Sequence, residues 1–172
     1  MQKRSLLVAV LVAAVCLLLI SPMQTQTKSS SPAHKENSMA THASGTFEVK
    51  LAPQTANEIE TAAGIMRITI DKVIHGELEA TTKGEMIASS DGTRGSGAYS
   101  ALELVTGTLN GRSGTFVLQH TGTMTKTSQQ LLITVVPESG TGELTGLEGK
   151  FVIKIADKKH FYEFEYTLPP AN

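Results

Sequence analysis

Two titratable side chains sit inside otherwise apolar stretches. Glu103 interrupts Ala101-Leu102-Glu103-Leu104-Val105, and His120 ends Phe116-Val117-Leu118-Gln119-His120. Alternate side chains of a strand share a face, so His120 goes with Phe116 and Leu118, on the side expected to turn inward. A histidine there would act as general acid or base, or donate to a ligand carbonyl. The structural alternative is a core histidine satisfied by a neighbouring backbone or hydroxyl group. Glu103 shares its face with Tyr99, Ala101, Val105 and Leu109, while the opposite face is also largely apolar, so alternation leaves its direction open. Turned inward, desolvation would raise its pKa and make it a proton donor. Turned outward, it is a solvated residue or part of an oligomer contact. Glu103 and His120 are the candidates for catalysis.

A second group lies near the C-terminus. His160, Tyr162, Phe164 and Tyr166 share one strand face, and Phe161, Glu163, Glu165 and Thr167 share the other. Such an aromatic row either packs a core or, in a hollow barrel, lines a pocket with tyrosine hydroxyls as polar handles. The candidate ligand contacts are therefore Tyr99, Glu103, His120, Tyr162 and Tyr166. Glu163 and Glu165 are expected to face solvent and so lack the shared dry site that a carboxylate pair needs. Arg94 and Arg112 lie on expected turns, where they would grip an anionic group at a rim or simply be solvated. No histidine is spaced with a second for a metal, and no serine has an interpretable His and Asp partner, so neither metal, cofactor nor triad is expected.

These residues must be positioned by strands. Apolar and β-branched runs alternate with polar links at Thr41–Leu51, Gly64–Gly76, Gly84–Ser90, Ala98–Leu109, Thr115–Thr125, Gln129–Val136, Lys150–Ala156 and Phe161–Leu168. Glu77–Lys83, Asp91-Gly92, Asn110–Gly114 and Asp157–Lys159 read as the reversals. Helix is expected only over Thr55–Ala63 and as a single turn near Leu144–Leu147. Eight consecutive strands with short links predict an all-β fold, a closed antiparallel up-and-down barrel, because closure removes exposed edges. Such a barrel is wide enough for side chains or one small ligand.

Glycine punctuates the chain. Gly107-x-Leu109-x-Gly111-x-x-Gly114-x-Phe116-Val117 and Gly142-x-Leu144-x-Gly146-x-x-Gly149-x-Phe151-Val152 share one spacing, which predicts a repeated strand-pair unit. Gly140, Gly142, Gly146 and Gly149 are read as a structural turn. The stretch lacks phosphate-loop spacing, since Gly149-Lys150 is followed by Phe151 and Leu144 occupies the position of the first glycine.

The chain has 172 residues, net charge -1 and no tryptophan, and so lacks the basic footprint and stacking platforms of a nucleic-acid binder. Lys3 and Arg4 precede fifteen apolar residues, Leu6 to Ile20. Residues 1–23 therefore read as a signal peptide or, if uncleaved, a membrane anchor. Cys16, the single cysteine, belongs to that run, so no disulfide framework exists. Residues 24–39, rich in Ser, Thr, Gln and Lys, read as a disordered tether, and 40–172 as the barrel domain. A secreted or periplasmic location follows, with the membrane involved only through an uncleaved N-terminal segment.

Four motifs together resemble the bacterial DUF3224 family, a domain of unknown function: Ser96-x-x-Tyr99, Gly111-Arg112-x-Gly114-x-Phe116-Val117-Leu118-Gln119-His120, Ser139–Gly149 and Tyr162-x-x-Glu165-Tyr166. The resemblance runs from about Ala40 to the C-terminus and implies an allene-oxide-cyclase-like barrel. Gly140–Gly149 is also similar to the glycine-rich connection of dirigent proteins and allene oxide cyclases. The export segment departs from many relatives. The family brings no activity with it. Binding of a small apolar molecule in the lumen is the expected function. The alternatives are a cofactor-independent isomerase or cyclase, a carboxylate-dependent hydrolase, and a non-catalytic envelope interaction module; analogy with such barrels adds a possible homo-oligomer. A lumen shut by Phe116, Leu118, Phe151 and Ile153 would favour the module, and an open one with Glu103 near His120 would favour chemistry.

Overall fold

The computed structural model describes residues 40–91 and 95–170. The expected targeting segment and tether, with Cys16 and Arg94, lie outside the described residues. Strands β1 (Thr41–Pro53), β2 (Met66–Gly76), β3 (Leu78–Asp91), β4 (Ser96–Leu109), β5 (Arg112–Met124), β6 (Gln129–Val135), β7 (Glu148–Ala156) and β8 (Lys159–Thr167) follow in order. Each pairs with the next, and β8 pairs antiparallel with β1, closing the barrel. The expected all-β, eight-stranded up-and-down barrel is the observed fold. The seam between β6 and β7 is the thinnest, with Thr134 opposite Lys150 as its one register pair.

One short helix, α1 (Glu58–Ala63), lies between β1 and β2. Asn57 and Glu60 close it with reciprocal side-chain-to-backbone bonds, and Gly64 ends it in the left-handed region.

The expected reversal over Glu77–Lys83 is not there. The chain turns at Gly76 and Glu77, and β3 runs unbroken from Leu78. Its polar residues Glu79, Thr81, Lys83 and Glu85 are exposed, while Leu78, Ala80 and Thr82 are buried. What reads as a polar turn is the solvent half of a half-buried strand. Likewise, Asn110 and Gly111 alone connect β4 to β5, with φ of 46° and 83°, the tight hairpin geometry that Asn-Gly favours.

The two glycine-patterned copies take different shapes. The first is the β4–β5 hairpin, and the second is the β6–β7 connection, which contains a 3-10 turn at Gly142–Leu144. They are not a repeated strand pair; they pack on each other. Thr141 N–H donates to the Thr115 carbonyl at 2.8 Å, and the Glu143 carboxylate accepts from Ser113 N–H at 2.9 Å. Gly142 and Gly146, with φ of 60° and 81°, let the connection fold inward, which seats Leu144 and Leu147 in the core.

That plug closes one end of the barrel. Above it Phe116, Phe151, Tyr162, Phe164 and Tyr166 are buried and stacked, with ring centroids 5.0 to 5.9 Å apart. The β1–β2, β5–β6 and β7–β8 connections lie at the other end, where the described residues leave the lumen unfilled.

Candidate functional site

The open half is a cup of about 390 Å³, walled by Phe47, Val49, Ile70, Met86, Leu131 and Ile153, with Lys72 and His120 among its lining residues. Its lip carries Leu51, Met124 and Ile155, all exposed. At the lip His160 stacks on Phe47, with ring centroids 5.0 Å apart. A wider concavity of 670 Å³ on the outer wall, between Ile65, Ile87, Ser100 and Thr121, has no buried polar side chain among its lining residues.

Where the cup meets the packed half, four buried polar residues meet. Register explains how. Lys72 lies opposite Thr82 in the β2–β3 pair, Glu103 lies opposite Gly84 in β3–β4, and His120 lies opposite Ala101 in β4–β5. A Cβ on Gly84 would come within 3.0 Å of the Glu103 Cβ, so the bare backbone there leaves Glu103 room beside β3. Its Oε2 is 2.6 Å from Lys72 Nζ and 3.1 Å from His120 Nε2. Thr82 donates its hydroxyl to Oε1 and accepts the Lys72 backbone N–H at 3.1 Å. Lys72 Nζ also lies 5.3 Å from the centre of the Phe47 ring, a cation–π contact.

Burial alone would push the Glu103 carboxyl up. His120, the Lys72 ammonium and the Thr82 hydroxyl outweigh it and hold the carboxyl down at about 2. Glu103 points inward, buried against Lys72 and His120, and these partners favour its carboxylate form. This corrects the expectation that an inward Glu103 becomes a proton donor: its partners, not its burial, decide its charge. His120 is buried, and its Nε2 has no well-directed hydrogen bond in spite of its distance to Glu103. It is therefore not the fully satisfied core histidine of the structural alternative.

The family model for proteins of unknown function DUF3224 matches residues 43–166. The chain belongs to the DUF3224 family. A crystal structure of a DUF3224 protein of unknown function from Shewanella oneidensis MR-1 is 45% identical, covers 77% of this chain and 100% of its own, and superposes with a TM-score of 0.71. No curated protein matches the sequence.

In this DUF3224 barrel the sequence-derived candidates separate into three places. Tyr99 lines the cup wall, and its ring lies over Gly122, directly opposite on β5. Burial, with the Glu103 charge nearby, pushes its phenol pKa up, so it stays a neutral hydroxyl. His120 lines the floor, whereas Glu103, fully buried, is not among the lining residues and stands behind His120 and Lys72. Tyr162 and Tyr166 are in the packed half: Tyr162 Oη accepts the Leu78 N–H at 2.9 Å, and Tyr166 Oη accepts from Asn110 at 2.9 Å. The structure does not bring either to the cup. Arg112 is at the closed end, donating to the Pro169 carbonyl at 2.7 Å, far from any rim.

Sequence reasoning missed Lys72 and Thr82. The signal for Lys72 was present: in Ile70-x-Lys72-x-Ile74 the lysine occupies the apolar face. A lone cation on that face implies a buried counter-charge. Among the described residues no group of three or more His, Cys, Asp or Glu is arranged to hold a metal ion.

Proposed function

We propose that this protein binds a small, largely apolar molecule in the cup. The observation that carries the reading is the 390 Å³ cavity itself, closed below by packed aromatic rings, walled mainly by apolar side chains and carrying Lys72 and His120 at its floor. This is the usual composition of a ligand pocket: apolar walls for affinity and a few fixed polar groups for orientation. The half-open lumen argues against a solid interaction module, since Phe116, Leu118 and Phe151 are packed away while Ile153 faces the cup. Isomerase, cyclase or hydrolase chemistry through Glu103 would need its carboxyl to reach the substrate. Glu103 is fully buried behind Lys72 and His120 and does not line the cup, which supports binding over catalysis. The N-terminal segment supports the further proposal that the barrel works outside the cytoplasm.

The test is native mass spectrometry of protein purified from its own host, with extraction of whatever it carries, paired with titration of a polarity-sensitive apolar dye. A bound dye displaced by the extract, and excluded when Met86→Trp fills the cup, is the expected result, since Met86 lines the cup and not the outer concavity. Dye binding that Met86→Trp leaves unchanged would place the site elsewhere and end this reading.

A further inference from the structure

Given a ligand in the cup, the floor specifies what its inner end must be. We infer that the molecule is uncharged and carries a hydrogen-bond acceptor, a carbonyl oxygen above all, at the end that meets His120 and Lys72.

Two observations carry this. First, the charges at the floor are already balanced. Lys72 Nζ and Glu103 Oε2 form a close ion pair at 2.6 Å, both residues buried. A third charge brought beside them, of either sign, would be desolvated with no counter-charge of its own. An ammonium head would be repelled by Lys72, and a carboxylate head would meet a lysine whose charge Glu103 already neutralises, so an uncharged head is the one the floor accepts without a new unpaired ion. Second, the polar atoms left over are donors. His120 Nε2 lies 3.1 Å from a carboxylate oxygen. A bare nitrogen lone pair at that distance from an anion would be repelled, so the proton belongs on Nε2. That N–H is poorly aligned with Glu103 and has no other partner, although it is buried where an unmade hydrogen bond is expensive. Lys72 has three ammonium protons, of which Glu103 takes one. Glu103 and Thr82 stand behind these donors and orient them. They are positioning residues: of the four in the cluster, only Lys72 and His120 line the cup.

The experiment compares four probes of equal chain length, nonane, 2-nonanone, nonanoate and nonylamine, by displacement of the apolar dye. The ketone is expected to bind roughly three- to tenfold more tightly than nonane, the range of one neutral hydrogen bond, and more tightly than either charged probe. His120→Phe keeps the ring volume and removes the donor, so nonane binding should survive while the ketone's advantage over it shrinks. Should that variant fail to fold, the unaltered protein decides: 2-nonanone, and not nonane, should shift the imidazole nitrogen resonance of His120. If nonanoate or nonylamine binds best, or if the ketone gains nothing over nonane, this inference falls and the apolar cup stands. If no probe displaces the dye and none binds directly, the cup reading falls and takes this one with it.

Discussion

At the closed end Phe116, Leu144, Leu147, Tyr162 and Phe164 meet across the lumen and fill it. Toward the mouth the same eight strands contribute Val49, Ile70, Met86, Leu131 and Ile153, and enclose 390 Å³ instead. The difference lies in what enters the lumen, not in the backbone that surrounds it. Three of the barrel's five phenylalanines and two of its three tyrosines point into the closed half, and the folded-in β6–β7 connection adds two leucines. The open half receives Phe47, Tyr99 and aliphatic side chains, which line the lumen without filling it. One end of the lumen is thus a core and the other a container, and the Lys72–Glu103–His120 cluster lies on the boundary between them.

Removing a ring from the core should therefore be the costliest change of those considered. Phe164→Ala is expected to destabilise the fold by about 3–5 kcal/mol, as large-to-small changes at fully buried aromatic sites do. Chemical denaturation reads this directly. A loss no larger than that of a lip substitution would mean that the closed end is not what holds the barrel together.

The boundary cluster should show itself through pH. Its carboxyl has a depressed folded pKa, from 4.5 to about 2, so its contribution is complete above pH 4.5 and is lost as pH falls from there to about 2. The size of that loss is about 3 kcal/mol. Glu103→Gln should abolish this part of the acid dependence and, because it leaves Lys72 buried without a counter-charge, destabilise the protein at neutral pH as well. Lys72→Met with Glu103→Leu removes both charges together; that pair of changes is expected to be neutral or stabilising and equally flat with pH. An acid profile that is the same with and without Glu103 would show that the cluster is no ion pair in solution.

How much of this the sequence disclosed follows the same boundary. Strand number, closure and the inward face of β5 and β8 were legible, because period-2 alternation reports a strand and its faces locally, whereas β4, apolar on both faces, left the direction of Glu103 open. The length of β3 was misread, since a half-buried strand with Glu79, Thr81, Lys83 and Glu85 on its wet face carries as much polar residue as a turn. The site was half legible. His120 and Glu103 stood out as titratable groups in apolar runs, but that Glu103 is met by Lys72 and Thr82, 31 and 21 residues away, depends on the registers of two strand pairs, β2–β3 and β3–β4. Alternation says which face a side chain takes and nothing about how far along the barrel it lies. For the same reason Tyr162 and Tyr166 looked like pocket residues: they share a face with His160, which does reach the cup, but sit deeper in the lumen.

A change on the cup wall should cost less than one in the core. Gly122 lies flat under the Tyr99 ring, and an added Cβ would come within 2.3 Å of ring carbon Cε1. Gly122→Ala is therefore expected to cost about 1–3 kcal/mol, at the low end because Tyr99 borders open space and is free to shift. Adding Tyr99→Leu should recover part of that loss, since it removes the ring that the methyl strikes. If the double change is no more stable than Gly122→Ala alone, the strain lies in the backbone and not in the wall.

The smallest stability effect is expected at the lip, and there the two halves part most clearly. Ile155 is 69% exposed yet lines the cup. Its contacts are few in the free protein, so Ile155→Ser should change stability by no more than about 0.5 kcal/mol. Binding is another matter, because a ligand seated in the cup would cover this side chain and gain the apolar area that solvent now touches. Weaker uptake of the apolar dye by Ile155→Ser, with an unchanged denaturation midpoint, would separate container from core at a single residue. Unchanged dye uptake would mean that the occupied volume lies deeper, against His120 and Lys72.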